Sequence, residues 1–277
     1  MKFIIRYFYA PIFFLGFIYI AVLVVESKLS LILLLLLAIT VSFLCERILP
    51  FEEAWNHPKK DAKRDFIHAL VNETSNIISV ALIPAILLVI PFESSWPSEW
   101  PLIIQLIIAI LIADFGITLM HYFSHKIQIL WRFHSIHHSV ERMYGFNGLM
   151  KHPIHQSIEL IAGTTPLLLM GMPIEIGALL AFAVAIQLLL QHSNVDIKVG
   201  YLNYIWAVAP GHRHHHIASK KRGDVNFGLF TMLWDHILGT FVADHQQPRD
   251  GELGIHDHSN FPSNYVLQLI EPFKRHK

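Results

Sequence analysis

The stretch His121–His138 reads HYFSHKIQILWRFHSIHH. Five histidines lie in it, spaced H-x-x-x-H and then H-x-x-H-H. Residues three and four apart share one face of a helix. His121 and His125 are therefore expected to point together, and so are His134, His137 and His138. The H-x-x-H-H spacing returns at His212, His215 and His216, within GHRHHH. A scattered excess of histidine would not sort this way, yet eight of the 19 histidines fall in these three groups. Burying that many imidazoles without a cation would leave polar nitrogens without partners. The three groups therefore predict a metal centre.

The count predicts its size. A single zinc or iron takes roughly four to six ligands, so eight clustered imidazoles point to two ions. The one cysteine, Cys45, excludes a thiolate site and an internal disulfide. Imidazole suits iron, zinc and copper alike, which leaves the metal open. His192 in QHSN is a ninth candidate ligand, and His152 and His155 in KHPIH are further candidates, because each adjoins an expected span end. His214 would be rotated away from His212 and His215 on a helix. His57 and His68 are expected to be exposed or interfacial. His236, His245, His256, His258 and His276 are expected to be exposed.

Outward from the histidines, the chain reads as membrane-embedded. Apolar residues make up 53%, charged residues only 15%, and mean hydropathy is +0.46. Soluble domains carry nearer a quarter charged residues. Zero net charge gives no footprint for nucleic acid. Residues 3–25 and 29–49 form an expected helical hairpin. Its first run is too long for a signal-peptide core and is expected to be a retained span. Residues 50–65 read as a polar loop or surface helix without chemistry. A weaker third span is expected over 70–92, followed by two tryptophans at a membrane interface. A fourth covers 102–120 and runs straight into His121. Residues 139–151 read as a polar loop. Residues 153–172 and 173–190 form a fifth and sixth span, the fifth able to re-enter rather than cross. Six spans place 20 of the 21 Lys and Arg on one side, with only Lys28 opposite. The positive-inside rule makes that side cytoplasmic, with both termini and all three histidine groups.

The expected fold class is therefore all-α: a multi-pass membrane helix bundle of about four to six spans. A cytoplasmic helical cap would hold the histidine-rich two-metal site. Residues 1–50 would be an N-terminal transmembrane hairpin and 51–277 a catalytic domain, with the histidine groups inside 114–241. Competing motifs are missing. There is no H-E-x-x-H, G-x-S-x-G or P-loop, and the DFG at Asp114–Gly116 stands without other kinase motifs.

Residues 114–241 resemble the fatty acid hydroxylase/sterol desaturase superfamily of integral-membrane non-haem di-iron enzymes. The resemblance is carried by His121-x-x-x-His125, LWRFHSIHHS at 130–139, KHP at 151–153, QHSN at 191–194, His212-x-x-His215-His216, NFG at 226–228 and WDHILGTF at 234–241. It implies two iron ions, cycling between Fe2+ and Fe3+, on His121, His125, His134, His137, His138, His192, His212, His215 and His216. It also implies dioxygen as co-substrate, a lipid or sterol C–H bond as target, and electrons from a separate donor protein, since no HPGG haem motif occurs. His152, His155, Asn194 and Asp235 are additional or supporting candidates, with Asp235 expected to accept a hydrogen bond from a ligand imidazole. Lys151 stands where the family often has Arg, so a guanidinium role is not carried over. Hydroxylation is the leading reading, and desaturation at the same site is the alternative. A metal carrier or sensor would need a polar path across the bilayer. A bis-histidine haem carrier is the remaining class.

Overall fold

The computed structural model describes residues 1–89, 93–243, 246–256 and 261–274. His245, His258, His276 and the end of the expected 70–92 span lie outside the described residues. Among the described residues, seven helices longer than ten residues make the frame. They are α1 (Lys2–Val24), α2 (Lys28–Ile48), α3 (Ala62–Ala81), α4 (Leu102–Lys126), α5 (Gln128–His138), α6 (Pro153–Leu169) and α7 (Ile174–Gln191). Among the described residues there is no β-strand, only isolated bridges.

Local chemistry sets the helix ends. Ser27 closes the α1–α2 turn, its hydroxyl oxygen accepting from the Ser30 amide at 3.2 Å. Pro101 and Pro173 precede α4 and α7, and Pro153 opens α6. A proline at a helix start gives up an amide that would lack a partner there anyway.

Helices α1, α2, α4 and α7 are long and apolar enough to cross a membrane. The hairpin exposes Phe3, Ile4, Leu15, Leu29 and Leu36, a face that only lipid would cover without cost. Helix α7 is apolar on all sides because it is the centre of the bundle, buried for most of its length. The third and fifth expected spans correspond to α3, with the short helix Ile83–Leu87, and to α6. Neither is long and apolar enough to count as a span by itself.

Helix α6 runs antiparallel to α4 at very close range. His155 at its start meets Ser124 near the end of α4, and a side chain added at Gly116 would fall 2.2 Å from the Ala162 carbonyl oxygen. One added at Gly163 would fall 2.8 Å from Ile117 Cγ1. Glycine is required here by space rather than by backbone angle.

Two segments expected at the surface are buried instead. In 50–65, Trp55, Asn56, Asp61, Arg64 and Asp65 are buried. In 139–151, Val140, Arg142, Met143, Tyr144, Asn147, Met150 and Lys151 are buried. The two segments satisfy each other. Arg142 donates to Asp61 at 2.6 and 3.0 Å, and Tyr144 donates to Asp65 at 2.9 Å. Their polarity is that of an internal network, which buried polar groups require. Trp96 is also buried rather than interfacial, donating to Gln105 at 2.6 Å.

Replacing Gly116 by leucine should lower unfolding stability by about 1–3 kcal/mol. Thermal unfolding in detergent reads this directly. Gly16→Ala, where an added carbon meets nothing within 4 Å, should not lower the midpoint and, inside α1, should raise it slightly.

Candidate metal centre

The last turn of α4, all of α5, the end of α7 and the turn after the short helix Ala209–His212 converge at one end of the bundle. They bring together all nine histidines singled out from sequence. His121, His125, His134, His138 and His215 form one group; His137, His192, His212 and His216 form the other. Within each group, nitrogens able to bind a metal all lie within 4.8 Å of one another. The groups abut, with the His138 and His216 rings stacked at 4.8 Å.

The division corrects one expectation. His134, His137 and His138 do not act on a single face. Helical geometry turns consecutive residues by about 100°, so the i,i+4 pair His134/His138 stays together while His137 faces aside. The same sorting recurs in the third group, where His212 and His216 pair and His215 joins the other side.

Backbone carbonyls and one carboxylate set the ring orientations. The Nδ1 atoms of His121 and His215 lie 2.9 Å from the Phe227 and Val225 carbonyl oxygens. His125 Nδ1 lies 2.9 Å from Asp224 Oδ1. One segment, 224–227, thus orients three of the five imidazoles in the first group. His137 and His192 direct Nδ1 to the Met150 and Leu188 carbonyls at 3.3 and 3.2 Å.

A carbonyl can only accept, so each Nδ1 facing one carries the proton and leaves a bare lone pair on Nε2. His137 Nε2 and His192 Nε2 then face each other at 3.3 Å, lone pair to lone pair. Such a contact cannot be a hydrogen bond. The Nε2 atoms of His121 and His215, also bare, have no partner. Burial above all, and then neighbouring imidazoles, hold His134, His137, His138, His212, His215 and His216 well below the usual histidine range. Burial pushes His192 down to about 3. Neutral imidazoles with convergent lone pairs are what a cation accepts, so the donor set fits two metal ions.

The supporting candidates stand outside these two groups, although His155 forms a third ligand-capable set with His134 and Glu159, whose ligand atoms lie within 4.8 Å of one another. His152 caps α6, accepting from the Ile154 amide at 3.0 Å, and its other nitrogen lies 3.2 Å from the Leu269 carbonyl. His155 is beside the first group, with its ring 4.5 Å from that of His134 and its Nε2 2.8 Å from Ser124 Oγ. Asn194 is buried and bonds Glu52 and Asn56 rather than a histidine. Asp235 accepts from the Phe227 and Gly228 amides at 2.7 and 2.8 Å and from Thr240 at 2.6 Å. It steadies the loop that meets His121 and bonds no cage imidazole directly. The carboxylate that does bond a ring of the two groups is Asp224, and Glu159 lies 3.7 Å from His155 Nδ1; both were missed because nothing in their own sequence context marks them. His68 is buried rather than exposed, joined to Gln268 at 2.8 Å and to the Lys151 carbonyl at 3.1 Å. His214 is buried and points away from the cage, 2.7 Å from Gln247. His57, His236 and His256 are exposed, as expected.

An apolar cavity of about 260 Å³ leads to the cage between α3, α4, α6 and α7. Ile117, Lys151, Glu159, Leu188 and Leu229 line both this cavity and the small space at the histidines.

Residues 106–240 match the fatty acid hydroxylase family model. The ornithine lipid hydroxylase OlsE of Rhizobium tropici is 29% identical over 246 residues, covering 86% of this chain and 73% of the relative. The alkylglycerol monooxygenase of Homo sapiens is 29% identical over 135 residues, 49% of this chain and 30% of the relative. That of Danio rerio is 27% identical over 157 residues, 57% and 33%. The chain therefore spans about a third of those longer relatives. No solved structure matches it. Residues 106–240 are thus a fatty acid hydroxylase domain, and the named relatives are hydroxylase and monooxygenase members of that iron-dependent superfamily.

Asp235→Ala should strand two buried amides and cost about 1–3 kcal/mol, against about 1 kcal/mol for Thr240→Val. Chemical denaturation of the two variants side by side checks the ratio.

Proposed function

We propose that this chain is a membrane-bound, dioxygen-dependent two-iron monooxygenase that hydroxylates an alkyl C–H bond of a lipid. The observation that carries the reading is the pair of convergent, neutral imidazole groups at the inner end of an apolar cavity. His121, His125, His134, His138 and His215 would hold one iron, and His137, His192, His212 and His216 the other. Bound iron supplies the oxidising power toward an unactivated C–H bond that no side chain has. The chain's own residues orient the rings through 224–227, Met150 and Leu188, hold the lipid against α6 and α7, and keep bulk water out. One oxygen atom enters the lipid and the other leaves as water, with electrons from a separate donor protein. The names of the relatives, an ornithine lipid hydroxylase and alkylglycerol monooxygenases, support a lipid substrate.

On this reading residues 1–50 are a membrane hairpin and 51–277 the catalytic unit. The excess of Lys and Arg on the cage side supports a cytoplasmic cage and cytoplasmic termini.

Purified protein should carry about two irons per chain, and His192→Ala/His212→Ala about one, by elemental analysis. Asp224→Asn should weaken iron binding about 10–100-fold. Host lipids should gain one oxygen atom when the protein is expressed and not with His137→Ala. An unchanged lipid product from His137→Ala would refute the two-iron reading, and loss of two hydrogens instead would make the enzyme a desaturase.

A further inference from the structure

The apolar cavity differs at its two ends. Along α7 it is lined by Gly177, Leu180, Ala181, Val184 and Leu188, a face roughly 16 Å long. Leu188 sits one turn before His192, and Ile117 one turn before His121, so Leu188 and Ile117 mark the cage end. There the wall carries an ion pair, Lys151 Nζ to Glu159 Oε2 at 2.5 Å, with both side chains buried. Gln156 donates to Asn76 at 2.9 Å on the same part of the wall. Away from the cage, no side-chain polarity is left over. Ser79, Thr164 and Thr165 donate back to carbonyls of their own helices at 2.7–2.8 Å. Ile83, Ile86, Leu168 and Met172 close the far end with hydrocarbon.

A buried ion pair contributes little to stability compared with apolar residues of the same size. A pocket that held hydrocarbon alone at the cage would be served as well by leucine and methionine. Lys151 and Glu159 offer a donor and an acceptor where the apolar wall meets the histidines. A chain entering methyl end first would press hydrocarbon on these charges and leave its polar group among Ile83 and Met172 without a hydrogen bond, which is costly.

We propose that the lipid lies in this cavity with its polar end toward the cage. An ether, ester or amide linkage rests against Lys151 and Glu159, the chain runs along α7 toward Met172, and oxidation falls within the first few carbons of that chain. The inference builds on the lipid hydroxylase reading and adds the orientation and the two residues, Lys151 and Glu159, that set it.

Photocrosslinking in the metal-free protein tests orientation without turnover. A phospholipid with a diazirine beside the ester should label peptides containing Lys151–Leu160. The same lipid with the diazirine at the chain end should label peptides spanning 168–181. The reversed pattern would overturn the proposal, as would equal labelling of both regions by both probes. Lys151→Met should weaken binding of an ester-linked probe about tenfold while a plain alkane probe binds unchanged. Glu159→Gln, which keeps volume and a donor–acceptor group, should weaken it less. Iron content equal to wild type shows that either variant is folded. With iron-loaded enzyme, mass spectrometry should place the new oxygen near the polar linkage, and oxidation at mid-chain or at the methyl end would refute the orientation. Absence of oxidation on every lipid would instead refute the hydroxylase reading, while a head-to-cage labelling pattern would still stand.

Discussion

The structure depends on a repulsion. Nitrogen lone pairs from His137 and His192 meet at 3.3 Å, and those of His121 and His215 point inward without partners. Protonation would relieve the contact in water, but burial penalises the charge. Rotation of the rings would relieve it too, but carbonyls of Met150, Leu188, Val225 and Phe227 hold them. What remains is a cation. The protein spends folding energy to hold this arrangement, and bound metal would return it.

Holding it requires rigid loops in an apolar surrounding, and buried carboxylates supply that rigidity. Asp114 accepts from the Phe230 amide at 2.7 Å and the Thr231 hydroxyl at 2.7 Å; Asp235 accepts from Phe227 and Gly228. Loop 227–231 is thus clamped at both ends. Asn226, at φ 55, makes the left-handed turn that starts it and bonds Gly211 and Val242. Asparagine tolerates this conformation better than most residues. Glu46 does the same service on the other flank, accepting from the Gly145 and Asn194 amides. Each carboxylate binds backbone amides, so the metal-facing loops are fixed without using any ligand side chain.

The sequence made the bundle and the nine histidines legible because both are periodic. Apolar runs of span length and histidines at i, i+3 and i+4 need no tertiary knowledge. What it did not disclose is pairing across distance. Asp61 meets Arg142 and Asp224 meets His125 only after folding, so their segments read as solvated loops. The split of His137 from His134 and His138 is a rotation of about 100° within one helix turn, finer than a shared-face rule resolves. Asp235 was expected to accept from a ligand imidazole, yet it acts on the loop backbone, further from the rings than expected.

Placing the cage at the end of the spans follows from the same physics that buries the imidazoles. Ligands from α4, α5, α7 and the 212–216 turn need loops to reach one point, and loops with polar backbone are stable only outside the hydrocarbon or inside protein. A lipid chain has the opposite preference. The two can meet only where a span ends, with an apolar channel on one side and a polar cap on the other. Ile117, Leu188 and Leu229 form the apolar side of that junction, and Lys151 and Glu159 form its charged side. The pair Gly116 and Gly163 then takes on a role in geometry: by letting α4 and α6 touch, they bring Glu159 close to the turn of α4 that presents His121 and His125.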